Sequence, residues 1–247
     1  MKKLAKLFSL LLVFAMAFSL LAACGGGDEE VVENDGENKA DTNNTADSSN
    51  DGGVQSQNKP NNAVVIATAN EPPTMAPHQH NAVAGGYMNI LTHNSMFKTN
   101  IETLAPEPGL IESYEIISDT EWQLKVREGV KFHDGSDLTT SDVKFTLERA
   151  KTMSSTISSA SHIDEVIIDN DHEFTLKLTA PYPAILYVLG NMNFSIVSEE
   201  AVTAAGDSYG GQPIGSGPYK FVEWVPLDHW TIERFDDYVD GPAIASK

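Results

Sequence analysis

The sequence predicts a mixed fold, α/β to α+β, for residues 63–247, and three observations carry that expectation. Apolar or alternating runs stand in pairs separated by turn residues, the pattern of hairpins. Short amphipathic stretches that open on capping residues lie between the pairs. Roughly 185 residues fall in this part of the chain, enough for one domain with a proper core or two small lobes.

The elements follow in order. Ala63-Val64-Val65-Ile66-Ala67-Thr68 is short, apolar and β-branched, so it predicts a buried strand. Glu71-Pro72-Pro73-Thr74-Met75-Ala76-Pro77-His78 is neither helix nor central strand, because three prolines remove donors and fix φ; it predicts an ordered loop. Tyr87 to Phe97 predicts a short helix. Glu121 to Arg127 alternates, with Trp122, Leu124 and Val126 on one face, and Tyr114 to Ile117 is its hairpin partner across Ser118-Asp119-Thr120. Thr139 opens a helix, with Asp142 three residues on as a shortened capping box. Val143, Leu147 and Ala150 fall on its inner side, and Lys144, Glu148 and Lys151 on its outer side.

Ser154 to Ser161 is small and polar and predicts a loop. Val166–Asp169 and Glu173–Leu178 predict a second hairpin, and Ile185 to Leu189 a helical turn or two. Ile196-Val197 predicts a strand, followed by a helix start capped at Ser198. Gly215-Ser216-Gly217-Pro218 is a sharp turn into Tyr219–Val222, and Trp230–Arg234 closes the last hairpin.

The first 62 residues have a different character. Lys2, Lys3 and Lys6 precede an apolar run, and Leu21-Ala22-Ala23 stands before Cys24, the single cysteine of the chain. Positive start, apolar middle and small residues at the cut are the parts of an export signal over residues 1–23. The Leu-Ala-Ala-Cys ending resembles a bacterial lipobox, which implies that the Cys24 sulfur carries a diacylglycerol and becomes residue one after cleavage. A retained transmembrane anchor needs ~20 apolar residues, whereas Leu7 to Ala23 is 17 long and broken by Ser9 and Ser19. Residues 24–62 hold the lipidated Cys and a Gly-, Asp-, Glu- and Asn-rich stretch too polar to offset its ordering entropy, so they are expected to form an acidic, disordered tether. The expected location is the cell membrane, lipid-anchored on the extracytoplasmic face.

The formal charge of −19 disfavours nucleic acid and anionic headgroups, both of which need clustered Lys and Arg. One cysteine excludes an intramolecular disulfide. Catalytic patterns are absent in their proper contexts. Gly215-Ser216-Gly217 is no nucleophile elbow, since Pro218 follows, and it lacks the Gly-Lys-Ser/Thr of a phosphate loop. His78, His80 and His93 raise the question of a metal, but no Cys or carboxylate stands at zinc-like spacing, so they read as loop polar residues or ligand contacts. His133-Asp134 reads as a turn beside Gly135. No catalytic residue, metal ligand or cofactor is assigned.

In this order the motifs resemble the bacterial extracellular solute-binding proteins of family 5, the peptide- and nickel-binding receptors of ABC importers. Glu71-Pro72-Pro73-Thr74 with Pro77-His78, Glu112-Ser113-Tyr114, and the run Arg127 to Gly135 into Leu138-Thr139, Asp142-Val143 and Phe145 carry the resemblance. Ile196-Val197-Ser198, Gly215 to Phe221 and Glu233-Arg234 continue it. Met75-Ala76-Pro77 departs from the family's usual Leu-Asp-Pro and loses a loop carboxylate.

The resemblance implies the N-terminal portion of a type II periplasmic-binding-protein-like fold, with the family's second lobe lying beyond Lys247. It implies no enzyme but a monomeric receptor capturing oligopeptides for an ABC permease and ATPase, two lobes closing on an extended ligand. On the family pattern the residues after the Pro-rich loop line the ligand side, which marks His80, Asn81 and Val83, with Tyr219 in support. The family acid that holds a peptide's amino group belongs to the second lobe and has no counterpart to assign here. Alone, this chain is expected to bind peptide weakly. Nickel complexes and sugars stay open as ligands, and a peptide-sensing signalling receptor or a truncated remnant are the alternative readings.

Overall fold

A computed structural model describes residues 62–247. Its centre is a four-stranded antiparallel sheet in the order β3-β4-β6-β5. Two hairpins read from the sequence supply it: β3 (Ile111–Ser118) with β4 (Glu121–Val126), and β5 (Ile163–Ile168) with β6 (Glu173–Leu178). They join through β4 and β6, where Trp122 faces Leu176 and Leu124 faces Phe174. The period-two pattern buries Trp122, Leu124 and Val126 as expected.

Helix α2 (Thr140–Ala150) puts Val143, Leu147 and Ala150 into the same core, each fully buried. Asp142 Oδ2 accepts from the Thr139 backbone N–H at 3.0 Å, so a first-turn carboxylate satisfies a donor at the helix start. The short α3 (Ile157–Ala160) follows within the stretch expected to be loop, and α4 (Ile185–Leu189) buries Ile185 and Leu189. Ser198 caps α5 (Glu199–Ala205) by accepting from Ala201 N at 3.2 Å.

Helix α1 spans Val83–Thr92, four residues earlier than expected, and its end hands Phe97 to a small hairpin of β1 (Phe97–Thr99) and β2 (Pro106–Pro108). Ile196 and Val197 are fully buried yet form no strand: their N–H groups go to Asn94 O and Thr146 Oγ1 in place of a ladder. The last hairpin pairs β7 (Tyr219–Val225) with β8 (His229–Arg234), Phe221 opposite Ile232 and Trp224 opposite Trp230. Every strand pairing among the described residues is antiparallel.

The leading segment corrects the sequence expectation. Val64, Val65 and Ile66 are 61, 72 and 67% exposed, and no strand is formed there. The segment is extended beside the tail: Val64 N donates to Lys247 O at 2.8 Å, Ser246 N to Asn62 O at 2.9 Å, and Arg234 N to Ser246 O at 2.9 Å. Strand-forming side chains are present, but these bonds reach only Val64, and no further ladder fixes the rest. The tail is also held by charge, because Asp240 takes Lys98 Nζ at 2.8 Å and Arg127 Nη1 at 2.7 Å.

Candidate functional site

A cleft of about 980 Å³ opens between the extended segment 63–71, the end of α1 and the β7–β8 hairpin. Leu91, Tyr219, Trp224, Trp230 and Ile232 give it an aromatic and apolar lining, to which Val64 to Ile66 add. The hairpin aromatics lie here because register brings Trp224 opposite Trp230, and both pack on a small core of Met75, Met88 and Ile232. Glu71 sets the hairpin's position: its carboxylate accepts from Trp224 Nε1 at 2.7 Å and from Leu227 N at 2.9 Å. The loop with three prolines thus places one carboxylate on an indole and a backbone donor at the hairpin tip. Glu71, Trp224 and Trp230 were not among the sequence candidates. An acid just before a Pro-Pro pair was the one available signal for the first; nothing local marked the tryptophans.

Of the sequence candidates, Tyr219 lines this cleft. His80, Asn81 and Val83 do not; they cluster at the start of α1. Val83 is 71% exposed. Asn81 is exposed and bonds Ser155 O and the Asn193 side chain, which ties α1's entrance to two distant loops. His80 is buried: Nδ1 accepts from Ala82 N at 3.2 Å, and Nε2 lies 3.3 Å from the Asn89 side-chain amide. With Nδ1 an acceptor, the proton sits on Nε2, so the satisfying amide orientation turns Asn89 Oδ1 toward it. Gly85 packs directly on this ring, where a Cβ would come within 2.2 Å of His80 Cε1. His80 therefore holds the backbone just before α1 and acts as a spacer against it, and burial pushes its pKa down.

The other histidines are interior polar groups. His78 is buried, and burial, with Arg149 adding to it, pushes its pKa down to about 3. His93 is also buried; Nδ1 lies 2.9 Å from Thr92 Oγ1 and Nε2 3.2 Å from Tyr209 OH. Both hydroxyls direct their protons at carbonyls, Thr92 to Met88 O and Tyr209 to Ile214 O, each at 2.8 Å. A neutral His93 ring satisfies one of these two acceptors, and burial drives its pKa well down. No group of three or more His, Cys, Asp or Glu poised for a metal occurs among the described residues.

The turn Gly215-Ser216-Gly217-Pro218 joins these parts. It lies against the end of α1, where Gly217 N donates to Thr92 O at 3.0 Å and Asn94 Nδ2 to Ser216 O at 2.6 Å. The ring of His133 reaches it from the loop after β4. Nε2 donates to Gly217 O at 3.0 Å, Nδ1 accepts from Gly215 N at 3.3 Å, and His133 N donates to Gly215 O at 2.9 Å. Asp134 makes the local turn by accepting from Ser136 N and Oγ, as expected of that dipeptide. The ring's partner 82 residues away was beyond local reading. Cys24 and the tether lie outside the described residues.

Fold and site together give a mixed sheet-and-helix unit with an open apolar cleft, and no nucleophile or acid–base pair is assembled among the described residues. The description "Bacterial extracellular solute-binding proteins, family 5 Middle" matches residues 105–246, and the chain belongs to that family. A glutathione-binding protein from Pectobacterium atrosepticum is 33% identical over 133 residues, covering 52% of this chain and 26% of the relative. The oligopeptide-binding protein AppA of Bacillus subtilis, solved with a nonapeptide, superposes with a TM-score of 0.63 at 26% identity, covering 70% of this chain and 36% of that one. NikZ of Campylobacter jejuni, solved with Ni(L-His), gives 0.65 at 25% identity, covering 76% and 38%. These relatives are solute-binding proteins and not enzymes. The chain spans about a third of the length of the relatives it matches, and over the matched part its fold is that of the type II periplasmic binding proteins.

Proposed function

We propose that this chain belongs to the lipid-anchored, extracytoplasmic receptor of an ABC importer and contributes one side of an oligopeptide site. The observation that carries the reading is the open cleft of about 980 Å³ beside an extended, largely unpaired segment in a family 5 lobe. Such a surface suits an extended ligand, which offers backbone hydrogen bonds along its length and side chains to apolar walls. The nonapeptide bound by AppA supports an oligopeptide ligand, and the Ni(L-His) bound by NikZ makes a nickel complex the alternative that the uptake test decides. Tyr219 is the candidate contact in the cleft; His80, Asn81 and Val83 form a separate candidate patch at the start of α1. Closure on ligand would draw its bias from contacts made on both lobes.

Deleting the gene in its host is expected to abolish uptake of radiolabelled short peptides. Unchanged peptide uptake with loss of nickel or sugar uptake overturns the reading. The anchor has its own check: Cys24→Ser is expected to remove labelling by radioactive palmitate, and continued labelling refutes Cys24 as the acylated residue.

A further inference from the structure

We propose that His133 is a proton-operated latch on the turn that launches β7, closed when its ring is neutral and released when Nδ1 takes a proton. The tautomer follows from the partners. Nε2 faces Gly217 O and must donate, while Nδ1 faces the Gly215 N–H and must accept. A proton from solvent on Nδ1 converts that acceptor into a donor aimed at another donor. The Gly215 bond is lost, and two N–H groups are left facing one another.

Other anchors of the turn do not change with pH in this way. Thr92 O, Asn94 Nδ2 and the Phe235 N–H, which donates to Pro218 O at 2.9 Å, keep their roles. Release is therefore confined to the Gly215 side. The residue is half-buried, and its ring meets that of Phe235 in a T-shaped contact at a centroid distance of 5.1 Å. The charged and titratable groups facing it are Asp134 on its own loop, Lys220 on β7 and His93 at the end of α1. Burial lowers the ring's pKa to about 4, with Lys220 adding to it and Asp134 opposing, so the latch is closed at neutral pH.

The latch does not rest on the ligand-capture reading above.

The test is an NMR pH titration of the full ¹⁵N-labelled chain in detergent micelles. The His133 ring nitrogens report the tautomer, and hydrogen exchange at Gly215, taken relative to its intrinsic rate, reports the turn. A neutral ring protonated on Nε2 is expected at neutral pH. As the ring takes its second proton, Gly215 exchange should rise roughly tenfold, the loss of about one hydrogen bond. His133→Gln supplies both an acceptor and a donor without a titration, so its Gly215 protection should stay level over the same interval. A proton on Nδ1 at neutral pH overturns the latch, as does the same pH dependence in both chains. Should the variant not fold, the tautomer in the unaltered chain still decides. None of these readouts contains ligand, so failure of peptide capture and failure of the latch are separate results.

Discussion

Gly217→Ala is the sharpest perturbation of the way this lobe is joined. A Cβ at 217 would lie 2.5 Å from Thr92 C, 2.6 Å from Leu91 O and 2.7 Å from His93 N. Ordinary contact between carbon atoms is ~3.5–4.0 Å, so roughly an ångström of space is missing. All three neighbours are backbone at the end of α1, and none swings aside as a side chain does. Overpacking costs about 1–3 kcal/mol, and rigid neighbours place this site at the upper end. Displacing the turn also strains the bond from Gly217 N to Thr92 O, worth about 1 kcal/mol. The expected loss is about 3–4 kcal/mol, read by urea unfolding of the full chain with tryptophan fluorescence.

Two other glycines make the measurement diagnostic. Gly211 has open space around its Cβ position and no positive φ, so Gly211→Ala should be neutral or stabilise by about 0.4–1 kcal/mol. Gly135 also has open space but sits at φ +90°, so Gly135→Ala should cost about 1–2 kcal/mol through backbone strain alone. If Gly217→Ala lies within about 0.5 kcal/mol of the parent chain, or no further from it than Gly211→Ala, close approach does not explain the turn.

Leu147→Ala should cost about 2–5 kcal/mol, because a fully buried side chain leaves the centre of the core; a loss below about 1 kcal/mol in the same urea assay would refute its placement. The Asp240 carboxyl is held down to about 2 from its ordinary 3.8, first by the Lys98 hydrogen bond and further by Arg127, while burial opposes them. The folded state holds this charge more strongly than the unfolded one, so the stability it contributes is present above about pH 4 and lost as pH falls through about 2. The carboxylate is 35% exposed, and screening keeps the effect below about 1 kcal/mol. Asp240→Asn should destabilise by that amount at neutral pH and match the parent chain below pH ~2; a constant difference across the range would refute the linkage.

Much of the fold was legible because its causes are local. Trp122, Leu124 and Val126 alternate, and their strand is buried on one face. Asp142 stands three residues after Thr139 and accepts from its N–H, and Ser198 caps α5. Where local signals misled, the deciding interaction was distant. Val64 to Ile66 have the composition of a buried strand, but burial needs a covering layer, and the described residues supply a few bonds to the tail. Ile196 and Val197 have their burial, yet Asn94 and Thr146 take the N–H groups that a ladder would use. The candidate residues divided likewise: Tyr219 reached the cleft, while His80 turned inward to Asn89.

By itself the sequence determined the two central hairpins, the capped helices and the family. Each depends on residue type at short spacing, where covalent geometry leaves the chain few choices. Tertiary structure alone decided that Glu71 holds Trp224, that the rings of His78, His80 and His93 sit in the interior, and that His133 fastens a turn 82 residues away. Those contacts depend on which surfaces meet once helix and sheet have packed, and a buried donor pairs with whichever acceptor the packing brings to it.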